Sequence, residues 1–101
     1  MKLLTPEIIN KLPKLYETEN IPVEKKKAVV KFFTPDSNWT WYVVEGEREG
    51  NDWLFFGLVE GHYTEWGYFS LSELESVRGA LGLPVERDEF FDGEIPERLR
   101  R

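Results

Sequence analysis

The chain has 101 residues, enough for one domain of common size. Its 41% hydrophobic and 15% aromatic content supplies a core without disulfides or a structural metal, and rules out a disordered chain despite 32% charged residues. The absence of cysteine excludes a disulfide framework, thiolate metal sites and a cysteine nucleophile, and a net charge of −6 runs against nucleic-acid binding.

The elements follow in chain order. Thr5-Pro6-Glu7 is a helix start: the Thr hydroxyl can accept from an early helical N–H, Pro suits the first helical position, and Glu favours the positive end. Ile8, Ile9 and Leu12 give one apolar face, and Pro13 stops or kinks the helix near Leu12. Residues 17–27 are polar and read as a solvated surface connection, with the Lys25-Lys26-Lys27 triplet in water.

Residues 29–34 read as a strand, the turn residues Thr34 to Asn38 follow, and residues 39–45 return as its hairpin partner. A charged turn over residues 46–51 leads into a third strand, residues 53–60, in which Gly57 signals a bulge or a close approach by another element. A loop over 61–67 precedes a short strand at Tyr68-Phe69. Ser70 with Glu73 has capping-box spacing, with Ser72 and Glu75 as an alternative register, and opens a second helix ending near Gly79. Residues 85–91 are a short strand or irregular, and from about residue 92 the chain is expected to fray.

The expectation is a single α+β domain over residues 1–101. It is an antiparallel meander of three to five strands packed by an N-terminal helix and a helix near residues 71–78. Alternation puts Trp39, Trp41 and Val43 on one side and Tyr42 and Val44 on the other. Both faces of the sheet are apolar, so either both are covered or one is a binding face.

Trp39-Thr40-Trp41-Tyr42, the run Phe55 to Gly61, Gly67 to Glu75 and Gly82 to Asp88 together carry a family resemblance. The chain closely resembles the DUF2958 family of small bacterial proteins, frequently encoded on plasmids and other mobile elements. The opening Met1 to Ile8, Lys11-Leu12-Pro13 and Lys31 to Asp36 match as well, so the resemblance covers nearly the whole chain. It departs at Gly46 to Asp52, which is shorter than in many relatives, and at Gly61 to Trp66. It implies a cytosolic bacterial protein in a mobile-element setting and transfers no catalytic residue.

The candidate chemistry is sparse. His62, the single histidine, lies near Glu60 and Glu65, but no Ser or Cys nucleophile stands in a recognisable context. Glu73 and Glu75 diverge on a helix, while Glu86, Asp88 and Asp92 lack the spacing of a calcium loop. Gly79 to Gly82 lacks the Lys-Ser/Thr of a phosphate loop. No catalytic residue, metal site or cofactor is therefore assigned, and an enzyme is the less favoured reading.

The favoured reading is a non-enzymatic interaction protein that binds a protein partner. The anchors expected are the aromatic sheet face, Trp39, Trp41 and Trp53, and the acidic C-terminal half, Glu86, Asp88 and Asp92. From Asp52 to Glu97 there are eleven acids against Arg78 and Arg87. Such a surface can occupy the basic groove of a nucleic-acid-handling or host-defence protein. The alternative is a small-ligand pocket or enzyme site around Trp39, Trp41, Trp53 and Tyr68, with Glu60 or His62 as polar groups. Direct nucleic-acid binding and a membrane span are not expected, the location expected is cytoplasmic, and the oligomeric state is open.

Overall fold

In a computed structural model that describes residues 1–99, the chain is α+β. Its strands are β1 (Val30–Phe33), β2 (Thr40–Glu49), β3 (Asp52–Glu60), β4 (Thr64–Ser70) and β5 (Glu86–Arg87). They form one antiparallel sheet in the order β4-β3-β2-β1-β5. Two short helices, α1 (Pro6–Lys11) and α2 (Leu71–Ser76), pack on one side, the helix face.

The helix starts follow their local chemistry. Thr5 caps α1 by accepting from Ile8 N–H at 3.3 Å, with Pro6 in the first turn, and the helix closes at Leu12 before Pro13. Ser70 caps α2, accepting from Glu73 N–H at 3.1 Å, so the first of the two capping registers is the one used. The reciprocal contact differs from a full capping box: the Glu73 carboxylate accepts from the Ser70 hydroxyl at 3.2 Å. Asp52 of β3 adds a tether, accepting from Ser72 N–H at 3.1 Å and Ser72 Oγ at 2.6 Å. The helix ends at Val77 rather than Gly79, where a Cβ would stand 1.6 Å from Asp36 Oδ1.

The sheet is longer than the sequence reading expected. β2 runs through residues 46–49 and turns at Gly50-Asn51, where Gly50 takes the left-handed backbone (φ 62°) that a tight hairpin requires. Residues 64–67, expected in a loop, pair with β3 as most of β4. Gly46 is a strand residue facing the helix side, where a Cβ would sit 2.6 Å from Leu12 Cδ2 and 2.7 Å from Phe55 Cδ1.

A bulge in β2 decides what faces the other side. Val43 pairs with Gly57 and Glu45 with Phe56, leaving Val44 as the extra residue. Simple alternation would have sent Glu45 toward the helices with Val43. The bulge instead keeps it opposite Phe56, beside Val44 on the far face. Gly57 meets the bulge closely: a Cβ there would stand 1.9 Å from the Tyr42 carbonyl oxygen.

Both faces carry a core. Phe32, Val43, Phe55, Phe69 and Leu74 are buried on the helix face with Leu3 and Leu4. On the opposite, tail face, Tyr42, Val44 and Leu58 are covered by Ala28, Ile95 and Leu99. The segment from residue 92, expected to fray, is therefore packed: Ile95 and Leu99 bury themselves, and Arg98 meets Glu60 at 2.8 Å. Of the basic end Arg98–Arg101, Arg100 and Arg101 lie outside the described residues. The lysine triplet is not wholly in water either, since Lys26 is buried and Lys27 pairs with Glu94 at 2.9 Å.

Candidate functional site

The tail face is not covered evenly. Residues 91–99 lie over Tyr42, Val44 and Leu58, whereas the half built by β3 and β4 leaves Tyr68 exposed beside the half-buried rings of Phe56 and Trp66. Phe56 is the hub: Trp66 stacks on it at 5.8 Å and 21°, and Tyr68 leans on it at 5.1 Å and 54°. Such offset and tilted pairs are the favoured ring geometries. Tyr68 is nonetheless 51% exposed, as half-covered aromatic residues at interfaces are.

A loop from the other end of the chain completes this patch. Tyr16, 63% exposed, has a left-handed backbone (φ 70°), a conformation costly for a residue with a bulky side chain. Glu45 holds it there. Its buried carboxylate accepts from Tyr16 N–H at 2.8 Å and Thr18 N–H at 3.0 Å, and also from the Thr18 hydroxyl. Lys26 closes the cluster, donating to Thr18 Oγ1 at 2.9 Å and to the Thr18 carbonyl. A buried carboxylate satisfied by several donors is a strong fixture.

The result is a hollow of about 350 Å³ lined by Tyr16, Ile21, Val23, Glu45, Phe56 and Tyr68. Ile21 and Val23 on its rim are exposed. A side-chain hydrogen bond with Tyr16, then loss of solvation and the Glu45 charge, push the Tyr68 phenol above its ordinary pKa.

The patch adjoins an open sheet edge. β4 is outermost and pairs only with β3 among the described strands. The opposite edge is covered: β5 pairs with Phe32 and Phe33, Asp88 N–H donates to Lys31 at 2.9 Å, and Ala28 N–H donates to Gly93 at 3.1 Å.

The helix face carries a second hollow, about 460 Å³, whose floor is Trp41, Phe69 and Leu74 and whose rim includes Trp39, Glu73 and Arg78. Trp39 is fixed by its surroundings: Trp41 stacks on it at 5.9 Å, His62 meets it edge-on at 5.5 Å, and Gly61 leaves room for its ring. Arg78 spends one guanidinium nitrogen on the carbonyls of Glu75 and Val77.

The family model described as a protein of unknown function, DUF2958, matches residues 3–98. The chain belongs to the DUF2958 family. No curated protein and no solved structure gives a significant match. Among the described residues no helix is long and apolar enough to cross a membrane, and no three His, Asp or Glu side chains gather as cation ligands.

The residues singled out from sequence are dispersed over this DUF2958 fold. Trp39 and Trp41 share the helix-face hollow, while Trp53 stacks on Phe55 at 6.5 Å and does not line it. Tyr68 is on the tail face. Glu60 and His62 are drawn apart, Glu60 to Arg98 on the tail side and His62 to Trp39. Glu86, Asp88 and Asp92 lie by the covered edge, where Asp88 comes within 3.7 Å of Lys31 Nζ and Asp92 accepts from Glu94 N–H at 2.9 Å. Sequence reasoning missed Tyr16, Glu45, Phe56 and Trp66. Alternation along β3 puts Phe56 on one face with Leu54 and Leu58, but nothing in the spacing signals that Glu45 binds a loop 27 and 29 residues away.

Proposed function

We propose that this protein is a non-enzymatic interaction module that binds a protein partner through the patch of Tyr16, Phe56, Trp66 and Tyr68. The observation that carries the reading is the pairing of a buried anchor with an exposed ring. Glu45 holds Tyr16 in a costly backbone conformation, and what that conformation presents is an aromatic side chain in water beside a second one. Strain held by an over-determined network and serving no core contact marks function. Aromatic anchors in a partly enclosed hollow with a charged surround are the usual centres of interfaces.

The partner we infer is a protein with a basic surface, such as one that handles nucleic acid or defends the cell. The chain's net charge of −6 supports electrostatic attraction of that kind, and a mobile-element setting would give an inhibitor of such a protein its purpose. The test is co-purification on tagged protein from the source cells. Wild type is expected to retain a stoichiometric partner, and Tyr16→Ser with Tyr68→Ser to lose it. Retention by that variant and loss by Glu86→Lys with Asp88→Lys would move the site to the acidic C-terminal half.

A second reading has its own observation, the tryptophan-lined hollow on the helix face. Its volume suits a small molecule, and its rim holds one acid and one base. A thermal-shift screen of small aromatic and amphipathic compounds tests it, with Trp39→Ala as the control expected to abolish any stabilisation.

A further inference from the structure

Resting on the tail-face reading, we infer that the partner docks by adding an extended, basic segment to the open edge of β4, with side chains from that segment seated on Trp66, Tyr68 and Tyr16. Three observations converge. β4 is a seven-residue edge strand, Thr64 to Ser70, without proline or lysine, the residues that commonly guard exposed edges. Its outer row of N–H and C=O groups, unpaired among the described residues, is a template for another strand, whereas the β1 edge is already covered by the chain itself. Gly67 leaves open space where a Cβ would stand, so the middle of the strand offers bare backbone on its helix side.

Charge chooses the occupant. Residues 40–76, which make β2, β3, β4 and α2, contain eight acids against Arg48; Glu45 is buried and Glu60 is paired with Arg98, which leaves six (Glu47, Glu49, Asp52, Glu65, Glu73 and Glu75) to face a partner. A second copy pairing β4 to β4 would bring two such halves together, with Glu65 of each copy on the joined edge, and repulsion opposes it. A segment alternating Lys or Arg with β-branched residues satisfies both demands. Its backbone completes the ladder, its apolar side chains cover the rings, and its cations face the acids.

The test pans a phage-displayed library of random peptides, long enough to span β4, against the full chain. Enriched peptides are then synthesised and titrated into labelled protein by NMR. The expected enrichment is for Lys/Arg-rich strand formers that slow amide exchange along Thr64 to Ser70. Affinity should fall about tenfold when every peptide nitrogen is methylated, and by a similar factor in Glu65→Lys, whose exposed side chain leaves the fold intact.

Enriched peptides that shift Tyr16 and Tyr68 resonances but bind equally well when methylated would overturn strand addition and leave the aromatic docking site standing. Enrichment of acidic or uncharged peptides would overturn the charge argument. Concentration-dependent dimers that protect β4 amides without peptide would make a second copy the occupant. No enrichment, or enrichment that ignores both β4 and the rings, would defeat the inference together with the reading beneath it.

Discussion

The Glu45 carboxylate, buried between the sheet and the loop, accepts from the backbone N–H of Tyr16 at 2.8 Å. This bond joins residues 29 apart in the chain and turns a polar connection into a fixed part of the surface. Glu45→Gln keeps the shape but halves the acceptors and removes the charge, leaving part-buried N–H groups short of a partner. The expected cost is about 1–3 kcal/mol in urea unfolding, with faster amide exchange at Tyr16 and Thr18. Unchanged exchange at those two amides would show that the loop is held by other contacts.

Tyr16→Gly separates stability from recognition. Glycine enters the left-handed region without steric cost, so stability should remain within about 1 kcal/mol of wild type, while the ring is gone. Partner retention should drop to background. A large loss of stability would instead make Tyr16 a packing residue.

Gly57→Ala should be among the most damaging single changes. The added Cβ would overlap the Tyr42 carbonyl oxygen, which is backbone in the centre of the sheet and cannot move aside. Overpacking of this kind costs about 3 kcal/mol or more. Gly67→Ala, with empty space at the same depth on β4, should be nearly neutral in the same thermal unfolding series. Equal losses at the two positions would contradict this account of the bulge.

The Asp52 carboxyl is held below its ordinary pKa, first by the Ser72 hydroxyl and then by the Trp53 N–H. A lowered pKa in the folded state stabilises wherever the group is ionised in the unfolded state as well. That contribution is present above the usual value of 3.8 and is lost as pH falls through the lower folded value. The gap in thermal midpoint between wild type and Asp52→Asn should therefore be full at neutral pH and close progressively below that point. A gap independent of pH would mean that the tether to α2 does not depend on charge.

Much of this fold was legible because its signals are local. Thr5-Pro6-Glu7 and Ser70 with Glu73 wrote both helix starts, and β-branched and aromatic runs wrote the strands. The errors sit where distant parts of the chain decide. Gly46 looked like a turn glycine because Leu12 and Phe55, which press on it, are remote in sequence. Residues 64–67 looked like a loop because Gly61 and Gly67 bracket them, and it is pairing with β3 that makes them strand. Ile95 and Leu99 stand among polar residues and are buried only because the tail face needs a cover. The patch was hidden for a further reason. A one-residue bulge at Val44 reverses the side on which Glu45 emerges, and a reading by strict alternation cannot see it.

Photo-crosslinking in the source cells decides whether a partner binds the Tyr16–Tyr68 side of the sheet. A benzophenone side chain would replace Tyr68 in one variant and Phe90 in another, Phe90 being 95% exposed by the covered edge. A discrete protein adduct is expected from position 68, absent from position 90 and lost when Tyr16 is also changed to serine. An adduct from position 90 with none from position 68 would contradict it and place the interaction on the acidic C-terminal half.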